Sequence, residues 1–205
     1  MCVQYLTTVN IDWVKSHFDL DLPVSSSHDV FPTYPGPIIL KSHSTKRTAI
    51  GMARFGLIPS WAKDGDFGRK TYNARSETVT EKPSYKQAWA KRHYALALAD
   101  AFYEPNYESG KAVRTSIKQL NGEPMAIASI WDTWNEPETG ELVVSFSMLT
   151  INADRHPVMN HFHRPGDEKR TVVPLRPEFF KDWLNATPET AKDLLSLTSI
   201  PELTF

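Results

Sequence analysis

Apolar residues recur at helical spacing near the two ends of this chain and at strand-like spacing through its middle. Ile11 to Phe18 carries Trp13, Val14 and Phe18 at core spacing, which predicts a short helix. The next stretch holds Pro23, Ser25 to Ser27, Pro32, Pro35 and Pro37, a density of proline and serine that predicts a loop. Strand-like segments follow at Pro37 to Lys41, Arg47 to Leu57 and His93 to Phe102, the last mostly small and apolar, as in a buried strand. Three more are expected at Arg114 to Gln119, Met125 to Trp131 and Glu141 to Ile151. Asn121-Gly122 signals a hairpin between the first two of these, and a second turn lies around Asn135 to Gly140. Helices are expected at Ser84 to Arg92, with Ser84 as N-cap, at Arg176 to Leu184 and at Pro188 to Leu195. The pattern is that of an α+β domain: a mainly antiparallel, barrel-like β core with peripheral helices.

Composition narrows the field. A chain of 205 residues suits one domain, residues 1–205, with a substantial core. With 40% apolar and 23% charged residues it reads as an ordinary soluble globular protein. The net charge of −1 announces no global basic field, although a local basic groove is compatible with it. No apolar run reaches the roughly 18 residues of a membrane helix, and the chain start lacks a signal-peptide pattern. The single cysteine allows no internal disulfide and no multi-thiolate zinc site. A cytoplasmic monomer is expected, without cofactor, metal or membrane partner.

That cysteine, Cys2, carries the most information. Removal of Met1 would leave an α-amine and a thiol on one residue. The amine has an ordinary pKa of about 7.7–8.0, so part of it is neutral at pH 7. A 1,2-aminothiol can condense with an aldehyde to an imine, and its sulfur can then close a thiazolidine ring. A cysteine at position 2 by accident is the plain alternative. Asn73-Ala74-Arg75-Ser76-Glu77 is a polar cluster in which Asn73 can hold a carbonyl or amine and Arg75 a phosphate, or simply a solvated loop. Glu104 ends the most apolar strand, where desolvation would raise its pKa toward neutrality; the alternative is a surface glutamate. His161 and His163 precede a polar stretch, and either can shuttle protons near pH 7.

These residues resemble the SRAP family, the SOS response-associated peptidases or abasic-site processing proteins, over nearly the whole chain. The carrying blocks are Met1-Cys2, Ala53 to Ala62, Asn73-Ala74-Arg75-Ser76-Glu77-Thr78, Phe102-Tyr103-Glu104, Ile130-Trp131, Thr150 to Asp154 and Phe162-His163. The resemblance implies an SRAP domain that binds abasic single-stranded DNA and attaches Cys2 covalently to the ring-opened aldehyde. It implies Asn73, Glu104 and His163 as the catalytic set around Cys2. His163 is favoured over His161 because Phe162 supplies the apolar residue that precedes the family's histidine. If the segment is extended, both imidazoles face the site. Arg75, Lys70 and Thr150 are expected at the DNA, with Trp61 and Phe55 stacking on bases; Trp61 is equally compatible with a core position. When bound to DNA the protein would be nucleoid-associated.

The chain departs from the family pattern in places. Val3, Gln4 and Tyr5 stand where glycine, arginine and an aromatic are usual, so no arginine is present at position 4. Pro105 replaces the tryptophan after the glutamate, and Ala101 replaces a glycine. The arginine-methionine-proline block becomes Arg170-Thr171-Val172 after an insertion. Two other classes stay open: a cysteine peptidase using Cys2, His163 and Asn73, best pictured as self-cleavage of Met1, and a DNA-binding module without chemistry.

Overall fold

The computed structural model describes residues 2–23, 28–42 and 45–205. Met1 and Ser25 to Ser27 of the expected loop lie outside the described residues. In chain order the strands are β1 (Gln4–Leu6), β2 (Asp29–Val30), β3 (Pro35–Lys41), β4 (Thr48–Phe55), β5 (Asn73–Arg75), β6 (Tyr94–Ala99) and β7 (Ala101–Asn106). They continue with β8 (Val113–Gln119), β9 (Met125–Asn135), β10 (Leu142–Asn152), β11 (Arg170–Val172), β12 (Pro174–Leu175) and β13 (Leu203–Thr204). The helices are α1 (Ile11–Phe18), α2 (Lys86–Ala90), α3 (Phe180–Asn185) and α4 (Pro188–Leu194).

The chain is α+β, as expected, and its core is a closed five-stranded barrel. β10 pairs β4, β4 pairs β3, β3 pairs β6, β6 pairs β9, and β9 returns to β10. All of these pairings are antiparallel except β10 with β4. Closure leaves no unpaired edge within the ring. A second, antiparallel sheet of order β13-β8-β7-β1-β2 accompanies the barrel.

Local chemistry accounts for the elements. Asn10 caps α1 by accepting from the Trp13 N–H at 2.9 Å, and α1 buries Trp13 and Val14 as its spacing predicts. All six residues of β6 are buried, which matches its unbroken apolar run. The indole of Trp183 on α3 donates to the Ala95 carbonyl at 2.8 Å and ties that helix to the barrel. Gly56 has φ +111°, and a Cβ there would lie 2.1 Å from the Gly68 carbonyl oxygen. Only glycine permits that approach of two backbones.

Several sequence expectations need correction. His93 to Phe102 is two strands, because the chain leaves the barrel at Asp100 and enters the second sheet. The Asn121-Gly122 turn forms, with Gly122 at φ +76°, but β8 and β9 belong to different sheets and do not form a hairpin. A turn signal specifies reversal of the chain, not the partner of each strand. The central helix is shorter than expected, Lys86–Ala90, and its N-cap is Tyr85 rather than Ser84. The turn around Asn135 to Gly140 does join a true hairpin, β9 with β10.

Phe55 is fully buried, with ring centroids 5.3 Å from Tyr5, 5.8 Å from Tyr72 and 5.3 Å from Phe146. It has no face to offer a nucleotide, so its expected stacking role is corrected to a core one. Phe55→Ala should therefore lower unfolding free energy by about 3–5 kcal/mol in urea denaturation. A loss below about 1 kcal/mol would mean that the aromatic cluster does not hold the barrel to β1.

Candidate active site

β1 pairs β7 with Gln4 opposite Tyr103, which brings the start of the chain alongside Glu104. Alternation along β7 turns Phe102 and Glu104 inward, both buried, and leaves Tyr103 and Pro105 partly exposed. The Cys2 thiol is fully buried and donates to the Gln4 carbonyl at 3.2 Å. Burial, then the charge of Glu104, push that thiol up to about 12. Burial likewise pushes the Glu104 carboxyl up to about 7, against the positive charge of the chain's N-terminus. At neutral pH the pair is thus a protonated thiol beside a carboxyl poised to give or take a proton.

His163 completes this group. Its Nδ1 lies 3.7 Å from Glu104 Oε2, and its Nε2 lies 2.9 Å from the Arg170 carbonyl oxygen. A carbonyl only accepts, so Nε2 carries hydrogen and the neutral ring presents the Nδ1 lone pair to Glu104. Burial lowers the His163 pKa, and the bond to Arg170 opposes that shift. The residue has φ +62°, a left-handed conformation unfavourable for any side chain with a Cβ. Its N–H donates to Pro105 O at 3.1 Å and Lys169 Nζ donates to its carbonyl at 3.3 Å, which hold the backbone there.

The expectation that His161 and His163 share a face is overturned. Met159–His161 is a 3-10 turn, not a strand, so positions two apart diverge. The His161 side chain is 46% exposed and meets Glu108 at 2.8 Å, whereas that of His163 is 10% exposed.

Asn73 lies on β5, which runs parallel to β10 with Asn73 opposite Met148. It follows Tyr72, whose hydroxyl is raised by burial and by the nearby charges of Cys2 and Glu104. Asn73 Nδ2 donates to Tyr72 O at 2.9 Å, while its buried Oδ1 has no hydrogen-bond partner among the described residues. An orphaned buried acceptor calls for a donor. Arg75 is half-exposed and pairs with Glu168 at 2.8 Å.

Arg170, buried, gathers Glu77 at 2.9 Å, Glu168 at 2.7 Å and the Thr150 carbonyl at 2.8 Å. Thr150 is itself buried and its Oγ1 accepts from Arg170 at 3.2 Å. Its expected contact with DNA is corrected to an internal one. Trp61 is 50% exposed and packs edge-on against Phe67 at 5.1 Å, with Lys63 and Lys70 exposed nearby in sequence. Trp61 therefore has a surface available for stacking.

A model of the SOS response associated peptidase (SRAP) family matches residues 1–204. The chain belongs to the SRAP family. The abasic site processing protein YoqW of Bacillus subtilis is 30% identical over 189 residues, covering 90% of this chain and 80% of that protein. The abasic site processing protein HMCES of Xenopus tropicalis is 27% identical, covering 83% of this chain and 57% of that protein. A crystal structure of a Bordetella bronchiseptica protein superposes with a TM-score of 0.88 at 33% identity, covering 99% of this chain and 97% of that one.

Sequence reasoning about this SRAP chain missed three contributors. Tyr72 had no signal beyond its place beside Asn73. The structural role of Arg170 was hidden because its partners, Glu77 and Glu168, lie far away or in the insertion. Arg114 looked like any strand cation, yet its guanidinium stacks on Tyr103 at 3.6 Å and donates to Gln4 Oε1 at 2.7 Å. Among the described residues no group of three His, Cys, Asp or Glu is arranged to hold a metal, and no helix is long and apolar enough to cross a membrane.

The Glu104 environment has a consequence for stability. Its carboxyl holds a proton more tightly in the fold, at about 7, than its ordinary value of 4.5. Its contribution is fully present below pH 4.5 and is lost as pH rises through 7. Glu104→Gln cannot ionise, so the variant should gain on the parent across that window, at up to about 1.4 kcal/mol per pH unit, and then level off. Urea denaturation at several pH values measures this. A difference independent of pH would mean that Glu104 titrates in the fold as it does in the unfolded chain.

Proposed function

We propose that this protein captures abasic sites in single-stranded DNA, forming a thiazolidine between the aldehyde and the amine and thiol of Cys2 after Met1 is removed. The names of its relatives point to abasic sites. The observation that carries the chemistry is the buried Cys2 thiol beside a Glu104 carboxyl raised to about 7, with His163 behind it. A thiol held near 12 is a poor ready-made thiolate, which disfavours a peptidase that attacks through sulfur first. It suits a sequence in which the amine acts first.

In that sequence His163 and Glu104 move protons as the sugar ring opens to its aldehyde. The neutral α-amine attacks the aldehyde carbon, and the carbinolamine loses water, with Glu104 supplying the proton to the departing hydroxyl. The Cys2 sulfur then bonds to the imine carbon while the thiol proton passes to nitrogen. One water leaves, and the ring is closed without an oxidant. Asn73 Oδ1, lacking a partner, would accept from the amine and aim it. Arg75 and Lys70 would meet phosphates, Arg75 by exchanging Glu168 for the anion, and Trp61 would stack on a base.

Incubation with an abasic single-stranded oligonucleotide should give a band that survives denaturing electrophoresis, absent with intact DNA. Cys2→Ser should lose the durable adduct, since oxygen closes a less stable ring; an equally durable Cys2→Ser adduct sinks the ring mechanism. In single-turnover time courses His163→Ala should slow cross-linking on the order of 10²-fold, and His161→Ala should change it little. The reverse pattern would move the role to His161.

A further inference from the structure

Gln4, Tyr103, Pro105, Arg114 and Ser116 share one face of the second sheet. The registers Gln4↔Tyr103, Tyr103↔Ser116 and Pro105↔Arg114, with strand alternation, require it. It is the face opposite Glu104, and on it Tyr103, Pro105 and Ser116 are partly exposed and Arg114, bonded to Gln4 two residues from Cys2, is exposed. Arg114 is held on this face from two sides. Its guanidinium carbon lies 3.6 Å from the Tyr103 ring centroid, and its Nε donates to Gln4 Oε1 at 2.7 Å. The other end of the Gln4 amide donates to Asp29 Oδ1 at 2.8 Å, so both ends of that amide are engaged and its orientation is set.

The outer edge of the guanidinium is left over. Among the described residues neither Nη donates a hydrogen bond, and Asp29 stands at 3.9 Å, an ion-pair distance rather than a hydrogen bond. The side chain is 55% exposed. A planar fork held through its Nε and its face, half-exposed and with no Nη hydrogen bond among the described residues, is pre-organised for an anion with several oxygens.

We infer that Arg114 is a phosphate contact for the DNA strand that enters beside Cys2, with Gln4 and Tyr103 as its positioning residues. This rests on the reading of single-stranded DNA as the substrate. The uncharged residue at position 4 thus still serves the nucleic acid, by aiming a cation from a strand more than a hundred residues away. A guanidinium on Tyr103 lies across the sheet from the reacting carboxyl and takes no part in proton transfer.

The test is fluorescence anisotropy with an intact single-stranded oligonucleotide across a range of salt. Arg114→Ala should weaken low-salt binding roughly tenfold and flatten the log–log salt dependence by about 0.7, the value of one single-strand phosphate. Adding Gln4→Arg to Arg114→Ala should restore both, whereas Gln4→Arg alone should gain less. An Arg114→Ala protein with the parental slope overturns the inference, including one that is merely less stable and binds less at every salt. If the parent fails to cross-link abasic DNA while Arg114→Ala still changes the slope, the capture chemistry falls and the phosphate contact stands.

Discussion

Desolvation of one carboxyl governs the arrangement around Cys2. Glu104 sits on the inward face of β7 because Phe102 on the same face anchors the strand, and burial raises its pKa to about 7. An isolated ionised carboxylate there would be costly, so the site must supply a proton or a cation. His163 faces it at 3.7 Å, an ion-pair distance rather than a hydrogen-bond one. The same desolvation keeps the neighbouring thiol protonated. One environment therefore sets the protonation of both groups.

Holding His163 there imposes strain, since its backbone occupies a left-handed conformation at φ +62°. The surrounding bonds over-determine it. Its ring is fixed by the Arg170 carbonyl, its N–H by Pro105 and its carbonyl by Lys169. Arg170 is in turn locked by Glu77, Glu168 and Thr150, which join β11, β10 and the segment after β5. The imidazole position is thus a property of the barrel wall as much as of its own loop. Glu168, from the insertion after His163, belongs to this lock and also occupies Arg75, so the insertion links the support of His163 to an outward-facing cation.

Much of the fold was legible because burial imposes periodicity. α1 runs over the predicted Ile11–Phe18, and the strands at residues 35–41, 48–55, 113–119, 125–135 and 142–152 fall where apolar runs lie between turn residues. The errors share one cause. His93 to Phe102 is mostly small and apolar, and its one carboxylate, Asp100, interrupts the run without saying that the chain there passes from one sheet to the other. The Asn121-Gly122 dipeptide is a sound turn, but the partners of β8 and β9 are set by contacts distant in sequence.

The same division holds at the site. Residue chemistry and motif made Cys2, Asn73, Glu104 and Phe162-His163 candidates, because each offers a particular functional group at a particular place in the chain, and the structure brings Cys2, Glu104 and His163 together. The tertiary structure decided which apolar or polar side chains face outward. It put Phe55 and Thr150 in the interior, left Trp61 exposed, and separated His161 from His163 by a 3-10 turn. It also set the two pKa shifts and brought Arg114 to Gln4 across 110 residues. Those outcomes depend on desolvation and on pairings between strands remote in sequence, and neither quantity exists until the sheets have closed around the residues concerned.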